Sequence, residues 1–271
     1  CLHTSLYVGS TLVLHQSMDI PQILNSIKKH NASTLAAVPP TLSKIVSNNL
    51  EDTLNSLSKL RLIITNSTFF PPETIQKLKK ILNGGKIATY YGLTEASRST
   101  FMIFDSNEKI ESVGKPSDGI SLKLVSNKDK SSIGEIWIKG KNVIERYWND
   151  EYKENFTDGW LKTGDLGRVD DDGYLYILGR VDELINISGE KVYPQEIERA
   201  VKVLSGIDDV VAIPMKHKVF GEVVKLFVKK TVESDISKTE ILTHCIKHLE
   251  RFKVPAKIEF VEDFPRTDYG K

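Results

Sequence analysis

The sequence has few cysteines, almost no charge excess and no long apolar run, and each absence excludes a class of protein. Only Cys1 and Cys245 are cysteines among 271 residues, which is too few for a disulfide framework. The 37 Lys and Arg nearly balance the 36 Asp and Glu, and without a basic run we expect no nucleic-acid partner. The sequence therefore favours a reducing compartment, and we expect a cytoplasmic protein.

The first 18 residues carry no charge, yet polar side chains such as His3, Ser10 and His15 interrupt them. A membrane span needs about 20 mostly apolar residues and a signal peptide needs a basic start. We therefore expect neither a signal peptide nor an integral membrane segment. Because the chain begins at Cys1 rather than Met, and opens inside what looks like a strand, with Thr11–Leu14 strand-like, we expect it to be part of a longer protein.

Residues 1–110 alternate apolar runs with helical periodicity, and this alternation predicts an α/β subdomain of a larger domain. Alternating strands and helices are typical of a parallel sheet covered by helices, so we expect part of such a sheet here. The helices are predicted from the face of Ile20, Ile23, Leu24 and Ile27 and after Pro71-Pro72, and the strands at Thr34–Val38, ended by Pro39-Pro40, at Leu60–Thr65 and at Lys86–Tyr91.

Residues 111–181 change to short alternating segments, which predict a small β-barrel-like subdomain. Its strands are predicted at Ser121–Val125, Gly134–Lys139 and Tyr174–Leu178. The run Asp170–Gly173 is predicted to be a hairpin turn, because the alternating oxygen ligands of a calcium loop are missing.

Residues 182–271 mix both periodicities again and predict a small α+β domain. Strands are predicted at Asp209–Pro214 and Val223–Lys229, between two helices centred on Ala200 and Cys245. No long linker precedes this domain, so its boundary is predicted to be a short hinge at Asp182.

The segment Tyr90–Glu95 holds an aromatic ring, a glycine, a hydroxyl and a carboxylate after a predicted strand. Ligands usually bind at the ends of strands in a parallel sheet. Here Tyr91 can stack on a base, Thr94 can donate to a phosphate oxygen, and Glu95 can hold Mg²⁺. The alternative is a strand followed by a glycine turn and a helix start at Thr94, with no ligand.

Three further segments carry a candidate charged residue each. Asp165 lies in the glycine-rich run Gly159–Gly167, predicted to be a loop, and its carboxylate can accept hydrogen bonds from ribose hydroxyls; a turn-forming Asp is the alternative. Arg180 can offer forked donors to a nucleotide, or form a surface ion pair. Lys271 ends a segment with Pro and Gly, and its ammonium can neutralise charge that develops during acyl transfer to phosphorus, or remain solvated.

These segments occur in a fixed order, as YGLTE, GWLKTGDLG, GYLYILGRVDELI, SGEKVYPQEIE and PRTDYGK. The ordered set resembles the adenylate-forming superfamily, which includes acyl-CoA and aryl-CoA synthetases, peptide-synthetase adenylation domains and beetle luciferases. The resemblance covers the whole chain and corresponds to the C-terminal part of such enzymes. It implies a large-domain sheet, a β subdomain and a mobile C-terminal domain.

The resemblance implies a role for each matching residue of the first segment. Tyr91 would stack on adenine, Gly92 would contact the nucleotide, Thr94 would contact the α-phosphate, and Glu95 would bind the magnesium ion. Tyr90 would border the acyl pocket, although a core tyrosine is an equal alternative.

The later segments supply the remaining implied roles. Asp165 would hold the ribose hydroxyls, Ile177 and Arg180 would also contact the nucleotide, and Asp182 would be the hinge. Gly189 would line the pantetheine channel, and Lys271 would serve the adenylation step.

The implied reaction activates a small carboxylic acid with Mg-ATP to an acyl-adenylate and then transfers the acyl group to a thiol. We expect coenzyme A as the acceptor, with a carrier protein as the alternative. An inactive nucleotide-binding remnant is a third alternative, because the superfamily's phosphate-clamping loop does not occur in the chain and is expected upstream of Cys1.

Two other segments depart from the superfamily pattern. Residues 66–71 replace a Gly-Gly-Ala-Pro stretch, so larger side chains are expected to crowd the adenine pocket. Asn186 stands where many acyl-CoA synthetases have Lys.

Overall fold

The computed structural model describes residues 2–15, 19–47, 50–66, 70–126, 132–148 and 155–265. The chain divides into two compact units. Unit 1 contains Cys1–Thr163 and Arg168–Ile177, and unit 2 contains Gly164–Gly167 and Leu178–Lys271. The domain bounds at 110 and 182 stay predictions.

Unit 1 begins with a five-stranded sheet and its helices. The elements are α1 (Leu2–Tyr7), α2 (Ile20–Lys29), β1 (Thr34–Ala36), α3 (Pro39–Val46), α4 (Leu50–Leu57), β2 (Leu62–Asn66), α5 (Pro72–Ile81), β3 (Lys86–Tyr91), β4 (Thr100–Ile103) and β5 (Lys115–Pro116). The sheet has the order β1-β2-β3-β4-β5, in which β1, β2 and β3 run parallel and β4 and β5 pair antiparallel. The predicted parallel sheet with helices packed on it is confirmed for β1, β2 and β3, and β4 and β5 extend that sheet with antiparallel strands.

Helices α2 and α5 pack in one core cluster with the sheet through the apolar positions that the sequence predicts. In α2, Ile23, Leu24 and Ile27 are buried, and in β2 the buried residues Ile63 and Thr65 alternate with half-buried ones. Burying each Leu or Ile contributes roughly 1.5–3 kcal/mol. The resulting core supports the C-terminal end of β3, where the first candidate site segment begins.

The N-terminal half of unit 1 corrects two sequence predictions. The predicted strand Thr11–Leu14 is wrong, because these residues form no helix or strand, and no described strand pairs with them. Strand β1 ends at Ala36, shortly before the two prolines, and Pro39 and Pro40 begin α3, where the missing N–H of proline costs no hydrogen bond. Helices α3 and α4 are not predicted from the sequence.

A small β subdomain follows, as predicted. Its strands are β6 (Ile120–Val125), β7 (Ile133–Gly140), β8 (Phe156–Thr157), β9 (Trp160–Val169) and β10 (Leu175–Arg180), and the sheet has the order β10-β9-β7-β6 with β8 beside β9. The loop predicted at Gly159–Gly167 is wrong, because most of it is strand β9. Its glycines suggested a loop, but Leu161, Thr163 and Asp165 alternate as buried residues of a strand.

The run Asp170–Gly173 joins β9 to β10 as the predicted hairpin turn. The N–H of Gly173 donates to the carbonyl of Asp170 (2.9 Å), and the side chain of Asp170 accepts from the N–H groups of Asp172 (3.1 Å) and Tyr174 (2.9 Å). The Asp170 side chain therefore organises the turn that its own residue begins.

A lysine and a tyrosine hold the other oxygen of Asp170. The Nζ of Lys109 lies 2.8 Å from Asp170 Oδ2 and 2.7 Å from Asp172 Oδ2, and the hydroxyl of Tyr176 donates to Asp170 Oδ2 (3.0 Å). Burial favours the protonated form of Asp170, but these donors and the N–H of Tyr174 outweigh it and lower the pKa of the carboxyl to about 2. The turn is thus held by a charged carboxylate.

Unit 2 contains the predicted α+β fold. Its elements are β11 (Ile185–Ile187), β12 (Glu190–Val192), α6 (Pro194–Lys202), β13 (Ile207–His217), β14 (Gly221–Lys230), α7 (Lys238–His248), a 3-10 turn (Arg251–Lys253) and β15 (Lys257–Val261). The sheet has the order β12-β11-β14-β13, and β15 pairs parallel with β14. Both predicted strands of this region lie within β13 and β14.

Helix α7 is fixed at its start and buried along one side. Ser237 and Glu240 form a capping box, in which Glu240 N donates to Ser237 Oγ (3.2 Å) and Ser237 N donates to Glu240 Oε2 (2.9 Å). Ile241 and Cys245 are fully buried, and Cys245 is a free thiol whose pKa is raised to about 11 by burial. Within the described part of the chain, no helix has the length and apolar character needed to cross a membrane.

Replacing Asp170 with Asn is expected to lower the melting temperature at pH 7 by about 2–6 °C, because the amide cannot pair with Lys109. The folded-state pKa is lowered from 3.8 to about 2, so the stabilisation is present above pH 3.8 and is lost as the pH falls towards 2. Thermal unfolding measured from pH 7 to pH 2 should show a difference between the two proteins that shrinks with the pH.

The matched control for this measurement is Asp171→Asn. Asp171 is exposed in the same turn, and its side chain has no hydrogen bond or ion pair within the described residues. A loss of stability in Asp170→Asn that stays constant across this pH range would contradict a role for the charge.

Candidate active site

The first predicted site segment spans the end of β3 and a loop, Gly92–Ser99, that folds back on itself. Leu93 N donates to Ala96 O (3.1 Å), and Ala96 N donates to Leu93 O (3.2 Å), which closes a tight turn. Ser99 Oγ donates to Ala96 O (2.9 Å) from the far end of the loop. No helix begins at Thr94, which lies exposed in the turn.

Gly92 is required by this geometry. A Cβ atom at this position would lie 2.7 Å from the carbonyl oxygen of Ala96, 3.1 Å from the carbonyl carbon of Ser97, and in contact with the backbone nitrogen of Arg98. These are backbone atoms, which cannot rotate away as a side chain can. The absence of a side chain at Gly92 therefore allows the two ends of the loop to meet.

Glu95 is half-buried and is oriented by a residue far along the chain. The hydroxyl of Tyr147 donates to Glu95 Oε1 (2.7 Å), and the N–H of Ile144 donates to the carbonyl of Glu95 (2.9 Å). Within the described residues Glu95 Oε2 has no hydrogen bond. The carboxylate is thus held by one oxygen and presents the other.

The loop has a second support that the sequence analysis missed. Asn142 Nδ2 donates to Ser97 O (3.1 Å) and to Ser99 Oγ (2.9 Å). Asn142 and Tyr147 follow β7, more than 40 positions after the loop that they contact. Nothing in their local pattern connects them with that loop, so only the fold reveals the pairing.

The two neighbouring tyrosines lie in different surroundings. Tyr91 packs against the apolar cluster of the β subdomain, and Ile177 packs against the same cluster. Tyr90 instead lies beneath the guanidinium of Arg98, whose Cζ is 5.5 Å from the ring centroid. Unit 1 thus brings two residues with predicted nucleotide contacts, Tyr91 and Ile177, to one apolar cluster. Tyr90 has different neighbours because the side chains of successive strand residues point to opposite faces of the sheet.

In unit 2, the predicted ribose and nucleotide residues are side by side. Arg180 Nη1 lies 3.2 Å from Asp165 Oδ1, and the N–H of Val181 donates to the carbonyl of Gly164 (2.8 Å). Gly164 has φ +71°, and a Cβ there would lie 3.1 Å from Arg180 Nη2. A glycine before Asp165 therefore makes room for the guanidinium.

Arg180 also pairs with the predicted hinge residue. Its Nε lies 3.1 Å from Asp182 Oδ1. Burial alone would lower the pKa of Arg180, but the hydrogen bond to Asp182 and the charges of Asp165 and Asp182 outweigh it and raise the pKa. The guanidinium is thus a fixed cation between two carboxylates.

Gly189, predicted in the pantetheine channel, lies in the turn between β11 and β12. It has φ +93°, and a Cβ there would meet nothing within 4 Å. Asn186 Oδ1 accepts from the N–H of Gly189 (2.9 Å), a bond that the ammonium of a lysine cannot form because it has no acceptor. The departure at Asn186 therefore has a local structural role.

Two predicted features fall partly or wholly outside the described residues. Lys271 lies there, as do Ser67, Thr68 and Phe69 of the segment expected to crowd the adenine pocket. Phe70, in contrast, is buried in the core of unit 1 and makes an edge contact with Phe104 at 6.2 Å. The Phe70 side chain therefore belongs to the core of unit 1.

The residues present suit a magnesium ion that arrives with a nucleotide. Among the described residues, no group of three or more His, Cys, Asp or Glu side chains is arranged to hold a metal. Mg²⁺ is usually bound by one or two carboxylates, with phosphates and water supplying its other ligands. Glu95, with Oε2 presented, fits that requirement.

Comparison with protein families identifies the class. The model of the AMP-binding enzyme family matches residues 1–148, and that of the AMP-binding enzyme C-terminal domain matches residues 196–271. The chain belongs to the AMP-binding enzyme family, the adenylate-forming superfamily that its motifs resemble.

The similar proteins include several CoA ligases. The chain is 33% identical to a 2-succinylbenzoate–CoA ligase of Bacillus pumilus, over 100% of this chain and 55% of that protein, and 32% identical to a long-chain-fatty-acid–CoA ligase of Yersinia pestis, over 97% and 48%. Solved structures of o-succinylbenzoate CoA synthetase from Bacillus subtilis match 100% of this chain and 56% of theirs. The complex with the acyl-adenylate has a TM-score of 0.88 at 30% identity, and that with ATP and magnesium 0.86 at 29%. The chain spans about half the length of these relatives.

Replacing Gly92 with Ala is expected to destabilise unit 1 by about 1–3 kcal/mol, because the loop backbone must shift to accept a methyl group. Denaturant unfolding followed by tyrosine and tryptophan fluorescence measures this loss. The comparison variant is Gly173→Ala, where the new Cβ meets nothing within 4 Å and only the cost of the left-handed backbone applies, about 1 kcal/mol. Full stability in Gly92→Ala would contradict the close approach.

Proposed function

We propose that the complete protein is an AMP-forming acid–thiol ligase, which activates a carboxylic acid with ATP and transfers the acyl group to coenzyme A. The observation that carries this proposal is the alignment of the whole chain with CoA ligases. The folded Gly92–Ser99 loop and the Asp165–Arg180 pair support it with groups suited to a nucleotide. We further propose that it acts in the cytoplasm.

In the first step, a carboxylate oxygen of the acid attacks the α-phosphorus of ATP. The new O–P bond replaces the bond to the bridging oxygen, and pyrophosphate leaves. Thr94 donates to the α-phosphate, and Lys271 neutralises the charge that develops at the reacting oxygens. Glu95 would hold Mg²⁺, which would neutralise phosphate charge when bound.

Each proposed nucleotide contact has its own chemistry. Tyr91, Gly92 and Ile177 contact the adenosine, Asp165 accepts hydrogen bonds from the ribose hydroxyls, and Arg180 donates to the nucleotide. In the second step, the thiol sulfur attacks the acyl carbon, the bond to AMP breaks, and the thiol proton passes to solvent. Gly189 lines the path of the thiol, and Asp182 serves as the hinge.

Replacing Lys271 with Ala is expected to reduce acid-dependent exchange of pyrophosphate into ATP by about 100-fold or more, because the developing charge loses its cation. The assay uses the complete protein with a panel of carboxylic acids. The control variant is Lys218→Ala, which removes an exposed lysine at the turn between β13 and β14. Unchanged exchange in Lys271→Ala would refute the assigned role.

Replacing Arg180 with Gln is expected to raise the KM for ATP about tenfold, because a charged donor to the nucleotide is lost. Steady-state kinetics with saturating acid measures the effect, and the exposed Arg251→Gln serves as the control. An unchanged KM for ATP would remove Arg180 from the nucleotide site.

The acceptor thiol is decided by AMP release from the adenylate with free CoA as the only thiol. Acceleration by CoA is expected. A failure of CoA to accelerate release would favour the carrier-protein alternative. If no acid supports exchange in the complete protein, the ligase proposal fails and nucleotide binding without catalysis remains.

A further inference from the structure

We propose that Tyr147 is a positioning residue for the metal site. Its hydroxyl engages one carboxylate oxygen of Glu95, so that only the other oxygen can bind a cation, and this arrangement favours Mg²⁺ over Ca²⁺. The inference rests on the proposed function, because it concerns the metal that accompanies ATP at the same site.

The hydrogen bond between Tyr147 and Glu95 is short and has a neutral donor. The hydroxyl lies 2.7 Å from Glu95 Oε1, a distance that is typical of a hydroxyl bound to a charged oxygen. Within the described residues Glu95 forms no ion pair, whereas Asp165 pairs with the guanidinium of Arg180. A phenol orients the carboxylate without neutralising it, so the negative charge of Glu95 stays available to a cation.

The segment that follows β7 is fastened to the backbone around Glu95. Ile144 N donates to Glu95 O (2.9 Å), and Val143 forms an antiparallel bridge with Ala96. Tyr147 comes shortly after these residues in the chain. Its side chain therefore reaches a carboxylate whose own backbone is held by the same segment.

The ring of Tyr147 is held from the side. It makes an edge contact with Phe156 of β8, with ring centroids 5.9 Å apart and planes at 66°. Phe156 in turn packs against the apolar cluster of the β subdomain. Because the half-buried ring has this partner, the direction in which the hydroxyl donates is fixed by packing as well as by the hydrogen bond.

With one oxygen engaged, Glu95 offers a metal a single oxygen. Mg²⁺ requires a near-octahedral shell at about 2.0–2.1 Å, which the narrow spacing of two oxygens of one carboxylate does not match, whereas Ca²⁺ accepts both oxygens at about 2.3–2.6 Å. A Glu95 side chain without the hydroxyl bond can turn and present both oxygens. Loss of the Tyr147 hydroxyl should therefore weaken the binding of Mg²⁺ more than that of Ca²⁺.

The first test measures metal binding without catalysis. The complete protein is titrated calorimetrically with α,β-methylene-ATP, which cannot be cleaved between the α- and β-phosphates, in EDTA, in Mg²⁺ and in Ca²⁺. The ratio of the Kd in EDTA to the Kd with a metal gives the contribution of that metal. In Tyr147→Phe we expect this ratio to fall about 5–20-fold for Mg²⁺ and less than about threefold for Ca²⁺, with the Kd in EDTA unchanged.

Two variants control the titrations. Tyr174→Phe removes another half-buried hydroxyl of unit 1, one that forms no hydrogen bond in the part of the chain that the structure describes, and it keeps the ring that Lys109 and Lys115 contact. Its ratios should equal those of the unchanged protein. Glu95→Gln removes the charge of the metal ligand and should lower the Mg²⁺ ratio at least as much as Tyr147→Phe does.

The second test distinguishes positioning from a purely structural role. With an acid that supports pyrophosphate exchange and a fixed ATP concentration, Tyr147→Phe should raise the KM for Mg²⁺ about 5–20-fold and lower kcat less than about threefold. A variant that merely folds less well would contain less active protein. Its kcat would fall and its KM for Mg²⁺ would stay the same.

The outcomes separate this inference from the proposed function. If Tyr147→Phe lowers neither ratio, or lowers the Mg²⁺ and Ca²⁺ ratios equally, the inference is wrong and the ligase stands. If Glu95→Gln leaves the Mg²⁺ ratio unchanged, Glu95 is not the metal ligand and the inference fails with that assignment. If no acid supports exchange but the titrations give the expected ratios, the ligase proposal fails and the role of Tyr147 in metal binding stands.

Discussion

The close approach of Gly92 to the backbone of Ala96 and Arg98 is the constraint on which the candidate site in unit 1 depends. It closes a loop of eight residues into a turn that the hydrogen bonds of Leu93 and Ala96 then hold. Once the loop is closed, Glu95 is placed against Tyr147, and its carboxylate is fixed before any ligand arrives. Because these groups are already ordered in the free protein, the free-energy cost of ordering them on binding is small.

In unit 2, a glycine also makes a close contact possible, but the group that approaches it is a side chain. Gly164 lacks a side chain where the guanidinium of Arg180 passes, and the arginine can therefore reach Asp165 from the neighbouring strand. At Gly92 in unit 1, the missing side chain allows the backbone of the loop to come close. At Gly164 in unit 2, it leaves space for the guanidinium of Arg180. In both places a glycine inside or beside a strand determines which polar groups meet, while the strands determine the direction from which they come.

The sequence predicts the elements of this fold better than the contacts of its site. Periodicity is a local signal, so α2, β2, β3 and the turn at Asp170 are found from short windows. The pairing of Asn142 with Ser99, and of Tyr147 with Glu95, joins residues more than 40 positions apart and leaves no local trace. Strand β9 escapes prediction for a different reason. Its glycines are typical of a loop, and of its alternate buried residues Leu161, Thr163 and Asp165, two are polar, so the sequence shows no apolar alternation there.

The fully buried thiol in helix α7 gives the C-terminal unit an internal reporter. Cys245 reacts with alkylating reagents as the thiolate, and with its pKa raised to about 11 only a very small fraction is ionised at neutral pH. Covalent labelling at this position therefore requires the core of unit 2 around Cys245 to open. The rate at which a reagent modifies Cys245 would report how often the core of unit 2 opens. Mass spectrometry can measure the peptide containing Cys245 separately from the peptide containing Cys1.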